Sequence, residues 1–352
     1  MWPTQFVTAV APNRWSDRSV RSRLLAILGI VALLLVASFA TWLSIRGGQP
    51  ASPTLYGTAQ SVAGAAWTWD GSGYTQVAAR GAAPTSNEAD MAYDRARGVI
   101  VLWDHGCANL VMGFQGGCID KVNRTWTWDG KSWTQHSTKA NPTAAGRGAM
   151  LFDSRLGQVV YVNGVGQAWT WTGTDWTGMA MPGGPQVPRN LGFAAGYDEV
   201  RNALVFALPA GTWSWDGARW TAIGDGIQPG EASADAHIVF DRAYGRLVYV
   251  GSRYTWTWEG GRWNPHDQPA ITGGTAAYDS ARAAVMLVRQ DSAACDRSAC
   301  RTATWSLSST GWTRQEAARE AQAFPLTRSG AYAAPMAFDE ARGVAVLFIS
   351  AS

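Results

Sequence analysis

The stretch Trp126-Thr127-Trp128-Asp129-Gly130-Lys131-Ser132-Trp133 decides the architecture. Alternation of Trp, Thr and Trp puts both indoles on one face of an extended strand and the threonine on the other. Asp-Gly is a strong hairpin signal, because a tight type I′ turn needs positive φ at both central residues. The returning strand brings a third Trp. The same layout stands at Trp169, Trp171 and Trp176, at Trp213, Trp215 and Trp220, and at Trp256, Trp258 and Trp263. Degenerate copies occur at Trp67, Trp69 and Tyr74, and at Trp305, Leu307 and Trp312. Side chains repeated in every copy do what every copy needs, so these Trp read as packing between sheets rather than as ligand platforms.

Between successive hairpins lies a second recurring unit. It is a short strand ending in Asp, a turn, and an apolar strand. Its copies begin at Met91-Ala92-Tyr93-Asp94, Met150-Leu151-Phe152-Asp153, Ala195-Gly196-Tyr197-Asp198, Ile238-Val239-Phe240-Asp241, Ala276-Ala277-Tyr278-Asp279 and Met336-Ala337-Phe338-Asp339. The Asp binds its own turn backbone, and Gly or Asn four residues on supplies a left-handed residue. One repeat is therefore four short strands, A to D, at a period of roughly 40–50 residues, the pattern of propeller blades. The region opens with a C–D pair near 66–77 and closes with an A–B pair near 334–350. Joining them makes a ring of six blades with no open edge. The fold expected is all-β, a six-bladed propeller over 64–352.

The repeat resembles the kelch propellers, as in the central domain of galactose oxidase. The apolar B strand and the later Trp match that pattern. The Gly-Gly that should end strand B does not: Asn163-Gly164 and Val250-Gly251 are partial, and Leu208-Pro209-Ala210-Gly211 departs further. The WD40 pattern fails, because the Trp-Asp dipeptides sit in the C–D turn with no Gly-His before them. The sialidase Asp-box fails on its spacing to the aromatic. Copper oxidase chemistry is not implied. His105, His136, His237 and His266 belong to different blades, and the cysteines stand in local pairs, so no cofactor or metal is expected.

Ahead of the repeats, residues 1–23 are polar, with Arg14, Arg18, Arg21 and Arg23. Residues 24–45 are an apolar run long enough to cross a bilayer as a helix. The arginines before it place the N-terminus in the cytoplasm and the body outside, in a single-pass membrane protein. A cleaved signal peptide, with Ser38-Phe39-Ala40 as the cleavage site, is the competing reading, and it exports the body equally. Residues 46–63 read as a flexible stalk. The net charge of +3 is concentrated at this N-terminus, leaving a near-neutral body. Such a body excludes a nucleic-acid partner, which needs clustered Lys and Arg.

Cys107 with Cys118, and Cys295 with Cys300, fall in B–C loops and read as disulfides of an exported domain. Function is expected where the repeat is broken. The long B–C and D–A loops share one face, and their polar residues are the candidates for ligand binding: Asp104, His105, Arg147, Arg189, Asp235, His237, Arg289, Asp291 and Arg328. No nucleophile elbow, metalloprotease or phosphate-loop motif is present. The expectation is a binding or interaction module for a protein or glycan. The alternative is a carbohydrate-active enzyme with carboxylates at the channel mouth, for which Asp104, Asp235 and Asp291 are the residues to examine.

Overall fold

A computed structural model describes residues 65–77, 82–85, 88–111, 117–146, 148–187, 193–228, 231, 236–251, 253–266, 274–295, 300–315 and 334–349, with backbone alone at 108–111, 117, 119, 290–295 and 300–301. The expected membrane segment and stalk lie outside these residues. Among the described residues no helix is long and apolar enough to cross a membrane.

The chain begins with a hairpin of β1 (Ala65–Trp69) and β2 (Tyr74–Val77). Blade one is β3 (Ala89–Asp94), β4 (Val99–Asp104), β7 (Arg124–Trp128) and β8 (Trp133–His136). Its B–C connection carries a separate hairpin of β5 (Cys107–Val111) and β6 (Gly117–Lys121). Blade two is β9 (Ala149–Asp153), β10 (Gln158–Val162), β11 (Ala168–Trp171) and β12 (Trp176–Met179). Blade three is β13 (Ala194–Asp198), β14 (Ala203–Leu208), β15 (Gly211–Trp215) and β16 (Trp220–Gly224). Blade four is β17 (His237–Asp241), β18 (Arg246–Val250), β19 (Thr255–Glu259) and β20 (Arg262–Pro265). Blade five is β21 (Thr275–Asp279), β22 (Ala284–Cys295), β23 (Cys300–Ser308) and β24 (Gly311–Gln315). Finally β25 (Met336–Asp339) and β26 (Val344–Ile349) pair with the opening hairpin in the order β2-β1-β26-β25.

That last sheet is the closure expected from the two half-repeats. β1 runs antiparallel to β26, with Trp67 opposite Leu347 and Ala65 opposite Ile349. The six A strands touch one another in a closed cycle, β3 to β9 to β13 to β17 to β21 to β25 and back to β3. Hydrophobic clusters fill the seams. One joins Trp126, Trp128 and Trp133 of blade one to Val346 and Phe348 of blade six. Another joins Val160 and Val162 of blade two to Leu204, Phe206 and Trp215 of blade three. Each buried Trp takes on the order of 200 Å² out of water, about 5 kcal/mol of favourable transfer.

The Trp hairpin forms as expected, but with a different turn. Trp128 pairs directly with Trp133, so four residues lie between them. Gly130 alone in that turn has positive φ (91°). Asp129 Oδ1 accepts from the backbone N–H of Lys131 (2.8 Å) and Ser132 (2.8 Å). Asp70 and Asp216 repeat this. In blade two, where Asp is absent, the Thr172 hydroxyl accepts from Asp175 N at 3.0 Å. The dipeptide signal was read as a two-residue turn, whereas the Asp side chain closes a wider one.

Cys107 and Cys118 form a disulfide, with Cα atoms 5.6 Å apart. Cys295 and Cys300 stand opposite each other where β22 pairs with β23; their side chains lie outside the described residues.

Candidate functional site

The two ends of the ring are built differently. At the A–B turn end, every blade carries a buried Asp whose Oδ1 caps its own turn. In four blades an Arg three residues later bonds the other oxygen: Arg97 to Asp94 (2.7 Å), Arg201 to Asp198 (2.5 Å), Arg282 to Asp279 (2.6 Å) and Arg342 to Asp339 (2.6 Å). Arg155 does so from the second position, at 3.2 Å. Several of these arginines lie over the C–D turn of the next blade. Arg97 donates to Thr172 O, and Arg342 to Asp129 O. A Cβ at Gly71, Gly130, Gly173 or Gly217 would collide with Arg282, Arg342, Arg97 or Arg155 respectively. The C–D glycine thus serves twice, by supplying positive φ and by leaving room for a neighbour's guanidinium.

The residue after each turn Asp varies between blades. Around the ring these read Arg95, Ser154, Glu199, Arg242, Ser280, Glu340. Arg95 bonds Glu199 (2.8 Å) and Glu340 (2.9 Å), and Arg242 bonds the same two carboxylates at 2.9 and 3.0 Å. A cycle of alternating charge therefore ties blades one, three, four and six together across the axis at this end.

The opposite face holds the B–C and D–A loops. Here the seams are fastened by the aromatic that opens strand D. Its polar atom reaches back to a Thr in the preceding blade, the residue just before the first Trp of strand C. Trp176 Nε1 donates to Thr125 Oγ1 (2.7 Å), Trp263 Nε1 to Thr212 Oγ1 (2.8 Å), and Trp312 Nε1 to Thr255 Oγ1 (2.8 Å). The Tyr74 hydroxyl is hydrogen-bonded to that of Thr304 in the same way. These hydroxyls are buried, so the bonds satisfy donors that water cannot reach.

Two seams lack the Thr. Ala66 precedes Trp67, and Ala168 precedes Trp169. At the first, Trp133 Nε1 is buried with no partner among the described residues. At the second, Trp220 Nε1 donates instead to Met181 O at 3.2 Å. Beside it lies a cavity of about 300 Å³ between blades two and three, at the lower end of the usual range for small-ligand sites. Trp220 and Phe206, edge-to-face at 4.9 Å, form its aromatic wall. Met181 and Val187 add aliphatic surface, while Gln186 and the backbone of Gly183 and Gly184 add amides. The Gly184 backbone is pressed against the indole, since a Cβ there would come within 2.7 Å of the ring. Among the described residues, no charged side chain lines the cavity.

The loop residues singled out from the sequence are dispersed. Asp104 ends β4 fully buried, its Oδ2 accepting from Thr85 N at 3.4 Å. His105 stacks on Trp103 with centroids 4.0 Å apart, and its Nε2 lies 2.8 Å from Asp90 Oδ2. His237 opens β17 and donates from Nε2 to Gly274 O at 3.1 Å. Arg289 lies on β22 opposite Ala303, and Asp291 opposite Arg301; the Asp291 side chain is outside the described residues. Arg147, Arg189, Asp235 and Arg328 lie outside them altogether. Among the described residues, no cluster of three His, Cys, Asp or Glu is placed to hold a metal ion. The cavity does fall in the expected loops, but its wall includes a repeated Trp that the sequence assigned to packing alone. The alanine before Trp169 was the legible sign.

No family model and no curated protein matches the chain. Solved structures do. The fungal lectin of Aleuria aurantia, described as six-bladed with a novel fucose recognition mode, is 15% identical with a TM-score of 0.47, over 74% of this chain and 86% of that one. YjhT is 11% identical with a TM-score of 0.45, over 69% and 87%. A chain of the nidogen/laminin complex is 9% identical with a TM-score of 0.44, over 69% and 89%. The blade number agrees with the lectin's. These likenesses concern fold and carry no argument about ligand.

Proposed function

We propose that the protein is a membrane-anchored, extracytoplasmic propeller, a distant relation of the kelch type, that binds glycan through the cavity between blades two and three. The observation carrying this is the cavity's chemistry: an aromatic wall, an amide rim and, among the described residues, no charged lining. A neutral pyranose ring presents one carbon-rich face and a rim of hydroxyls, which match an indole and amides respectively. The anchor rests on the uncharged run 24–45 and the arginines before it. Both features favour a module that holds a ligand outside the membrane over one that transforms it. The kelch kinship rests on the apolar B strand and the Trp that follows it.

The full chain, screened on an array of neutral and charged glycans, should retain neutral ones. Trp220→Phe and Gln186→Ala should each weaken retention about tenfold. An array with no retention, or retention unchanged in both variants, overturns the site. Recovery of the chain from the soluble fraction after cell lysis would overturn the anchor.

A further inference from the structure

We infer that Ala168 is the residue that opens this site, by denying Trp220 the hydroxyl that latches the equivalent aromatic at four other seams. The inference rests on the binding reading for its consequence, but not for its physical content. Where Thr125, Thr212, Thr255 or Thr304 is present, the aromatic of the next blade is bonded to it. Ala168 occupies the same place in strand C and belongs to the same packed cluster as Trp220, Phe206, Met181 and Val187. It has no oxygen to offer. The half-buried Trp220 indole N–H donates to the Met181 carbonyl, which belongs to the D–A loop rather than to the strand. The loop is thereby tied to the ring, and space remains beside the indole.

Ala66 tests this logic from the other side. It removes the Thr at the seam between blades six and one, yet Trp133 stays buried with its Nε1 unpaired. Loss of the hydroxyl leaves the N–H without its strand partner; only at the Ala168 seam does a loop carbonyl take it. Ala168 is therefore a positioning residue, acting through Trp220, and the seam's specificity for a flat neutral ring follows from where that indole is held.

The decisive comparison is Ala168→Thr against Ala168→Val in the full chain. The two side chains have nearly the same volume, and one carries the hydroxyl. Two readouts are needed: the indole N–H resonance of Trp220 in ¹⁵N-Trp-labelled protein, assigned with Trp220→Phe, and the affinity for a panel of neutral methyl pyranosides. Ala168→Thr should shift the Trp220 resonance and lower affinity at least tenfold. Ala168→Val should leave the resonance close to that of the parent protein. An unshifted resonance in Ala168→Thr, or equal shifts in both variants, overturns the latch. A shifted resonance with unchanged pyranoside affinity overturns the claim that the latch controls the site. If the parent protein binds no pyranoside, the glycan reading fails, while the resonances still decide the latch.

Discussion

Ala283 is the residue where the repeat's backbone and its side chain disagree. The fourth position after each turn Asp is left-handed throughout, and it is Gly98, Gly157, Asn202, Gly245, Ala283 or Gly343. Asn tolerates this region through local hydrogen bonding, whereas Ala bears the full Cβ–carbonyl clash. Ala283→Gly should stabilise the protein by about 0.5–1 kcal/mol, read as a higher Tm in calorimetry. Blade four departs differently: exposed Tyr244 stands where four of the other turns place Arg. Arg246 approaches Asp241 Oδ2 only to 3.8 Å, and burial pushes the Asp241 carboxyl above its usual range. A carboxyl raised in this way contributes stability at low pH and loses it as pH rises through its folded pKa. Tyr244→Arg, completing the pair, should therefore stabilise by about 1–2 kcal/mol at pH 7 and much less near pH 4, a contrast that denaturant melts at the two pH values would reveal. His136 has the opposite sign. Desolvation holds it below its ordinary 6.5, so its contribution is complete above that value and is lost as pH falls. His136→Gln should flatten the decline of Tm between pH 7 and pH 5.

At the scale of the element, the repeat was legible because its strands are short and its punctuation is chemical. The Trp-Thr-Trp alternation buries Trp126 and Trp128 on one face, as a strand period requires. The turn was misread because Asp-Gly specifies positive φ at Gly without specifying how many residues the turn holds. The Asp-x-x-Arg spacing at 94–97, 198–201, 279–282 and 339–342 is visible in the sequence. Its meaning is not, since the second partner of Arg97 and of Arg342 belongs to the next blade. The Cys107–Cys118 bridge was foreseen from local pairing within an unusually long loop. It closes the excursion of β5 and β6 beside blade one. Replacing both cysteines with Ala should cost about 2–3 kcal/mol and increase amide exchange in β5 and β6 first, which exchange mass spectrometry would localise.

For the whole molecule, the decisive sequence fact was that a half-repeat at each end makes one blade. The pairing of β1 with β26 bears it out, residue against residue. The ion-pair cycle at the axis was not legible. Its members are spread from Arg95 to Glu340, and only ring order shows that like residues face one another across the centre. Because Ala65 and Ile349 stand opposite each other, a circular permutant that joins them by a short Gly/Ser linker and opens in the 129–132 turn should fold. Its Tm should equal or exceed the parent's; loss of cooperative melting would show that the ring depends on its present ends. The shared sheet also governs the order of events at birth. The chain emerges N-terminus first, so Trp67 and Trp69 leave the ribosome long before the strand that covers them exists. For nearly the whole of synthesis that hairpin is a sticky orphan, and a newborn chain stalled short of residue 336 has nothing with which to finish.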